Sequence, residues 1–165
     1  SVRGKGYRIP GGLDLLDSAV IHENLAAHTT QLLHELSIEQ SIDSTNSEAL
    51  RRAQVGCSSG FVCTAEQQTA GRGRRGRQWV SPYASNVYLS VYWQFTQGAA
   101  ALEGLSLAVG VAVANALSLC GVDEVDLKWP NDILSDGAKL GGILIEMTGD
   151  LSGDCQVVVG IGLNV

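Results

Sequence analysis

Four arginines fall within six positions of the stretch QQTAGRGRRGRQW, Gln67 to Trp79: Arg72, Arg74, Arg75 and Arg77. The whole chain of 165 residues has only 11 Lys and Arg, against 17 Asp and Glu, and a formal net charge of −6. An acidic protein that gathers over a third of its positive charge into one glycine-laced loop needs cations at one place. Glycines let backbone N–H groups close on an oxyanion, and guanidinium forks bind phosphate or carboxylate through paired hydrogen bonds. That chemistry would be an anion clamp. A solvated loop without a ligand and a basic cluster for nucleic acid are the other readings, although interspersed glycines are unlike a helix presenting charge to a groove. A nucleotide P-loop fails, because G-x-x-x-x-G-K-[ST] needs a Lys followed by Ser or Thr.

A second stretch, LKWPNDILSDGAKLGGILIE, runs from Leu127 to Glu146. Lys128 leads into WPND, the turn SDGAK delivers Lys139, and Gly141 and Gly142 follow. Two lysines bracketing Asn131 and Asp132 suggest a polar site at a sheet edge. Taken singly, Asp132 reads as a turn residue, Lys139 as a solvated strand start and the glycine pair as a bulge. Together with the arginine loop they mark a site.

The elements that must position these groups can be read from periodicity and punctuation. LDLLDSAVIHENL has helical spacing, with Asp17 or Ser18 as its N-cap. LSIEQSI alternates as a strand does, and Ser44 precedes a helix that should end before Gly56. FVCTAE is a short strand leading into the arginine loop, and NVYLSVYWQF is a long one. Ala99 to Cys120 is apolar nearly all round at helical spacing, which predicts a buried helix. VDLKW reads as a strand stopped by Pro130, and GGILIEMT and CQVVVGIGLNV as strands joined by GDLSGD. Helices between early strands and adjacent strands at the end predict an α+β layer, a mixed β-sheet flanked by helices.

Composition narrows the class. At 45% hydrophobic and 17% charged the chain is no disordered segment. No apolar run approaches the roughly 20 residues of a membrane helix, and no signal peptide opens the chain, so no membrane partner and a cytoplasmic location are expected. The net charge argues against nucleic-acid binding by the whole surface. Cys57, Cys63, Cys120 and Cys155 have apolar neighbours and no C-x-x-C pairing, which predicts buried free thiols. His22, His28 and His34 recur every six residues, a spacing that does not stack them on one helix face, so they read as surface residues and not metal ligands.

In this order and spacing, STN, QQTAGRGRRGRQW, KWPNDI, KLGGILIE and GIGLNV resemble the catalytic domain of biotin protein ligases. The likeness is strongest to the bifunctional bacterial type that also represses the biotin operon. It implies the fold shared with class II aminoacyl-tRNA synthetases and with lipoate ligases. It also implies an ATP-dependent enzyme that makes biotinyl-5′-AMP and transfers biotin to a lysine of the biotin carboxyl carrier protein of acetyl-CoA carboxylase. By position, Ser44, Thr45 and Asn46 match a helix-start motif that meets biotin, and Gln68 matches the residue that bonds its head. Gly71, Arg72, Gly73 and Arg74 match the loop over carboxylate and phosphate. Lys139 matches the lysine that contacts both. Lys128 and Asp132 match residues near the reacting centre, with Asp132 a candidate for Mg²⁺. Gly142 and Gly162 match glycines that let biotin's bicycle approach the strands. Trp79 matches an aromatic that packs behind the loop or supports the nucleotide.

The resemblance further implies that residues 1–10 are the end of an N-terminal winged-helix wing with its linker. Residues 11–165 would then be a catalytic domain incomplete at its C-terminal end. DNA would be bound only through the missing N-terminal domain, and a homodimer would form on ligand binding. With no anion present, the like charges of the arginine loop are expected to keep it mobile.

Overall fold

The computed structural model describes residues 12–98, 102–149 and 153–165. The elements are α1 (Ser18–Asn24), α2 (Ala27–Leu32), β1 (Glu35–Glu39), α3 (Thr45–Gln54), β2 (Phe61–Ala65), β3 (Asn86–Phe95), α4 (Leu105–Leu119), β4 (Val125–Lys128), β5 (Asp132–Ser135), β6 (Ala138–Gly149) and β7 (Cys155–Asn164). The seven strands form one sheet in the order β1-β2-β3-β7-β6-β5-β4. β1 and β2 run parallel and every other pair is antiparallel, so the sheet is mixed, as expected. Asp17 caps α1, its Oδ1 accepting from the backbone N of Ala19 (2.8 Å) and Val20 (3.1 Å). The expected wing remnant, residues 1–10, lies outside the described residues.

The alternation of side chains along the strands divides the core in two. On one face Phe61, Cys63, Tyr92 and Val158 pack with Ala49 and Ala53 of α3. On the other, Ile133 and Ile143 pack with Val113 and Leu117 of α4, joined by Ile145, Val159, Ile161 and Leu163. α3 and α4 thus pack on opposite faces of the sheet. α3 lies over the β2–β3–β7 side, and α4 over the β4–β5–β6 side.

Three expectations need correction. α4 is not buried: only Gly110, Val113 and Leu117 are, while Leu107 (48%), Val111 (51%) and Leu119 (89%) are exposed. One helix against one sheet face can cover only one stripe of its own surface, however apolar the others are. Asp132, which taken singly reads as a turn residue, opens a strand. Asp132–Ser135 forms β5, paired with both β4 and β6, and a register shift between Ile133 and Leu134 hid its alternation. Of the four thiols, Cys63 and Cys155 are buried and Cys57 is half-buried, but Cys120 just past the end of α4 is exposed. All four are free, and the three histidines are exposed.

Candidate functional site

α3 begins with three polar residues that are almost completely buried, Ser44, Thr45 and Asn46. Ser44 stands at the N-cap with extended backbone, yet its side chain makes no capping bond and lines a cavity instead. The turn before it is braced by Asp43, whose two oxygens accept from Arg51 Nη1 (2.8 Å) and Nη2 (2.9 Å). Those guanidinium hydrogen bonds hold the Asp43 carboxyl well below its usual range, at about 2. Buried polar groups need partners, and here they form a network. Gln68 Oε1 accepts from Thr45 N (2.9 Å) and Oγ1 (3.2 Å), and Gln68 Nε2 donates to Ser81 Oγ (3.1 Å). The fully buried Ser90 hydroxyl lies 2.6 Å from Asn46 Oδ1 and 2.8 Å from Thr45 Oγ1.

The arginine loop leaves β2 along the segment that leads into α3. Thr69 N donates to Ile42 O and Ala70 N to Asp43 O, both at 2.8 Å, which sets Gln68 beside Thr45. The loop then folds back on itself. Gly73 N donates to Arg77 O (2.7 Å) and Trp79 N to Gly71 O (2.9 Å), around a single 3₁₀ turn at Arg74–Gly76. Gly76 has φ +72°, and Arg75 adopts the left-handed region at φ 57°, which costs a non-glycine residue roughly 1–2 kcal/mol. Arg72 Nη2 donates to Glu146 Oε2 (2.8 Å), and Arg74 Nη1 to Asn131 Oδ1 (3.0 Å). The loop is thus tied by backbone and side-chain bonds to itself, to β6 and to the segment before β5. Glu146 offsets one of the charges.

Opposite the loop, Lys139 Nζ lies 2.6 Å from Asp132 Oδ1 and 5.6 Å from the centroid of the Trp79 ring. Between these groups the sheet has a floor without side chains. Gly142 and Gly162 are directly paired across β6 and β7. A Cβ on Gly162 would meet the Trp79 indole at 2.7–2.9 Å, so the indole lies flat on the strand. Its Nε1 is buried without a partner among the described residues.

These groups enclose one cavity of about 460 Å³. Ser44, Thr45, Asn46, Gln68, Arg72, Gly73, Arg74, Asp132, Lys139, Gly142 and Gly162 all line it, as do Trp79 and Asn131. The structure leaves two of the sequence candidates outside. Lys128 pairs with Asp132 in the β4–β5 ladder, but its side chain is exposed and not in the cavity wall. Gly71 is buried behind the loop against Trp79 O and Ser81 Oγ, where its lack of a side chain allows the close approach. Sequence reasoning missed Ser90, Gly160 and Glu146. Ser90 carries no local signal, being one polar residue in an alternating strand. Gly160 was visible in GIG, and a Cβ there would overlap Asn46 Oδ1. Among the described residues no cluster of three His, Cys, Asp or Glu could hold a metal. No helix among them is long and apolar enough to cross a membrane.

Residues 38–164 match the biotin/lipoate A/B protein ligase family model. The chain is 46% identical, over all 165 of its residues, to the bifunctional ligase/repressor BirA of Salmonella typhimurium, and covers 49% of it. It is 45% identical over 125 residues to the biotin--[acetyl-CoA-carboxylase] ligase of Paracoccus denitrificans, covering 74% of this chain and 51% of that protein. It thus spans about half the length of the curated relatives it matches. Among solved structures, the biotin protein ligase of Aquifex aeolicus in complex with biotin and ATP superposes with a TM-score of 0.66 at 33% identity. That match covers 81% of this chain and 53% of the other.

Proposed function

This chain belongs to the biotin/lipoate A/B protein ligase family, and we propose that its cavity activates biotin with ATP to form biotinyl-5′-AMP. The observation that carries the reading is that one cavity joins an uncharged polar end, built from Ser44, Thr45 and Gln68, to a cationic wall of Arg72, Arg74 and Lys139. A ureido ring offers N–H and C=O groups to the uncharged end. A dithiolane ring has none to offer, which favours biotin over lipoate within the family. Gly142 and Gly162 admit the Trp79 indole against the strands, so a flat bicycle would meet the indole face and not the glycines themselves.

Attack of the biotin carboxylate on the α-phosphate of ATP must overcome repulsion between two anions. Arg72, Arg74 and Lys139 offset that repulsion and stabilise charge that grows on the α-phosphoryl oxygens as pyrophosphate departs. Lys139 is the first candidate for the essential cation. It is paired with Asp132 at the cavity wall, so incoming anions take over a cation already aimed at the cavity. Gly73 and Arg74 cover the product and keep water from the mixed anhydride. Lys128 reaches the chemistry only if its exposed side chain turns toward Asp132 from the next strand. Among the described residues Asp132 is the one carboxylate in the cavity wall, and it is engaged with Lys139. Magnesium would therefore arrive on the triphosphate and not in a protein-built cage, and no step here runs through it.

The proposal extends to the whole protein. Transfer goes to a lysine of the biotin carboxyl carrier protein of acetyl-CoA carboxylase, in keeping with the name of the Paracoccus relative. A repressor role is in keeping with the name of the Salmonella relative, and we extend it to DNA bound through a separate N-terminal domain and a homodimer formed on ligand binding. The test is biotin-dependent release of pyrophosphate from ATP, followed by mass spectrometry of a carrier domain for one added biotin, with this chain and with the full-length protein. Release that does not depend on biotin, or no release from either, would overturn the reading.

A further inference from the structure

Glu146 closes the KLGGILIE stretch without a role assigned to it and does not line the cavity, yet two site elements meet on one of its oxygens. Its Oε2 accepts from Asn46 Nδ2 (2.9 Å) and from Arg72 Nη2 (2.8 Å). Asn46 is the second residue of α3, and Arg72 is in the arginine loop. They lie 100 and 74 positions from Glu146 in the chain. We propose that Glu146 is a positioning residue, which sets the arginine loop in register with the start of α3 and so fixes the spacing between the uncharged and cationic parts of the cavity. This rests on the biotin-activating reading for its consequence, but not for its geometry.

Several features support a positioning role. Asn46 is held at both ends of its amide, Nδ2 toward Glu146 and Oδ1 toward Ser90, and it fits only because residue 160 is glycine. It is therefore a rigid anchor, 4% exposed. Arg72, with a side chain 41% exposed, is the tethered partner. A carboxylate oxygen accepts two donors at once, and its charge favours the guanidinium over water. An ion pair this exposed contributes little to global stability. What it changes is where the loop sits.

Glu146→Gln keeps size and one accepting oxygen but loses the charge. In the empty protein, amide hydrogen exchange across residues 70–79 should then accelerate several-fold, while the melting temperature stays within a few degrees. Arg72→Gln cuts the same tether from its other end and should produce the same acceleration, and the double variant should exchange no faster than either alone. With biotin and ATP, Glu146→Gln in the full-length protein should raise KM for biotin roughly tenfold, in the range of couplings between contacting charged groups. Pyrophosphate release at saturating biotin should change less than twofold, because Lys139 is untouched. The exchange measurement needs no ligand, so it decides the tether even if biotin is not the substrate. Unchanged loop exchange in Glu146→Gln would overturn the proposal, as would additive effects of the two substitutions. A lowered rate at saturation with unchanged KM would do so as well.

Discussion

Lys139 Nζ and Asp132 Oδ1 stand 2.6 Å apart across the β5–β6 turn, seven residues from one another in the chain. Both are partly exposed, with side-chain accessibilities of 44% and 29%, so the pair adds little to the stability of the fold. Its role is local. Asp132 holds a flexible cation at the cavity wall, where an anion can take it over.

Lys139→Ala should therefore leave the melting temperature nearly unchanged and abolish adenylate formation. Losing a cation that acts mainly on the transition state costs about 3–4 kcal/mol, roughly 10²–10³ in rate. Biotin-dependent pyrophosphate release is the measurement. A variant as fast as the parent would remove Lys139 from the reaction.

Gly160→Ala tests the packing of the helix start. The added Cβ would occupy the place of Asn46 Oδ1, and Asn46 cannot swing aside without leaving Ser90 and Glu146. Overpacking of this kind costs about 1–3 kcal/mol. We expect a lower melting temperature together with loss of biotin binding by calorimetry. A stable variant with parental affinity would mean that the Asn46 anchor is not needed.

The Asp43–Arg51 pair gives a dependence on pH. Hydrogen bonding to Arg51 lowers the Asp43 pKa from 3.8 to about 2. A group whose pKa is depressed in the folded state stabilises it above the unfolded value, and that contribution disappears as pH falls from about 4 to about 2. The side chain is 46% exposed, so the effect is small. Asp43→Asn should flatten the decline of melting temperature across this range. Parallel curves for parent and variant would count against it.

Thiol labelling separates the cysteines. Burial pushes the Cys63 thiol up to about 12 and raises that of Cys57, while Cys155 is buried and Cys120 is exposed. Since the thiolate is the nucleophile, a maleimide at neutral pH should modify Cys120 first and leave Cys63 intact until unfolding. Peptide mass spectrometry reads the order directly, and early labelling of Cys63 would contradict the packing of α3 on the sheet.

Sequence alone determined what is encoded by neighbours in the chain. Glycines among arginines, lysines around WPND, polar residues at a helix start and the 3.6- or 2-residue periods all report local chemistry and local conformation. From these the mixed sheet, most of its strands and most of the cavity-lining residues could be named. Tertiary structure decided what depends on distant partners. The apolar circumference of α4 resembles that of a buried helix, but how much of it is covered depends on what packs there, and the sheet face beneath it covers the stripe of Gly110, Val113 and Leu117. Lys128 and Lys139 both flank Asp132 in sequence, and only the β5–β6 register aims Lys139 at the cavity. Glu146 is one acidic residue at the end of KLGGILIE, and nothing beside it in the chain marks its role. Its place at the junction of the site exists only because β6, the arginine loop and α3, separated by up to 100 residues, converge on a single oxygen atom.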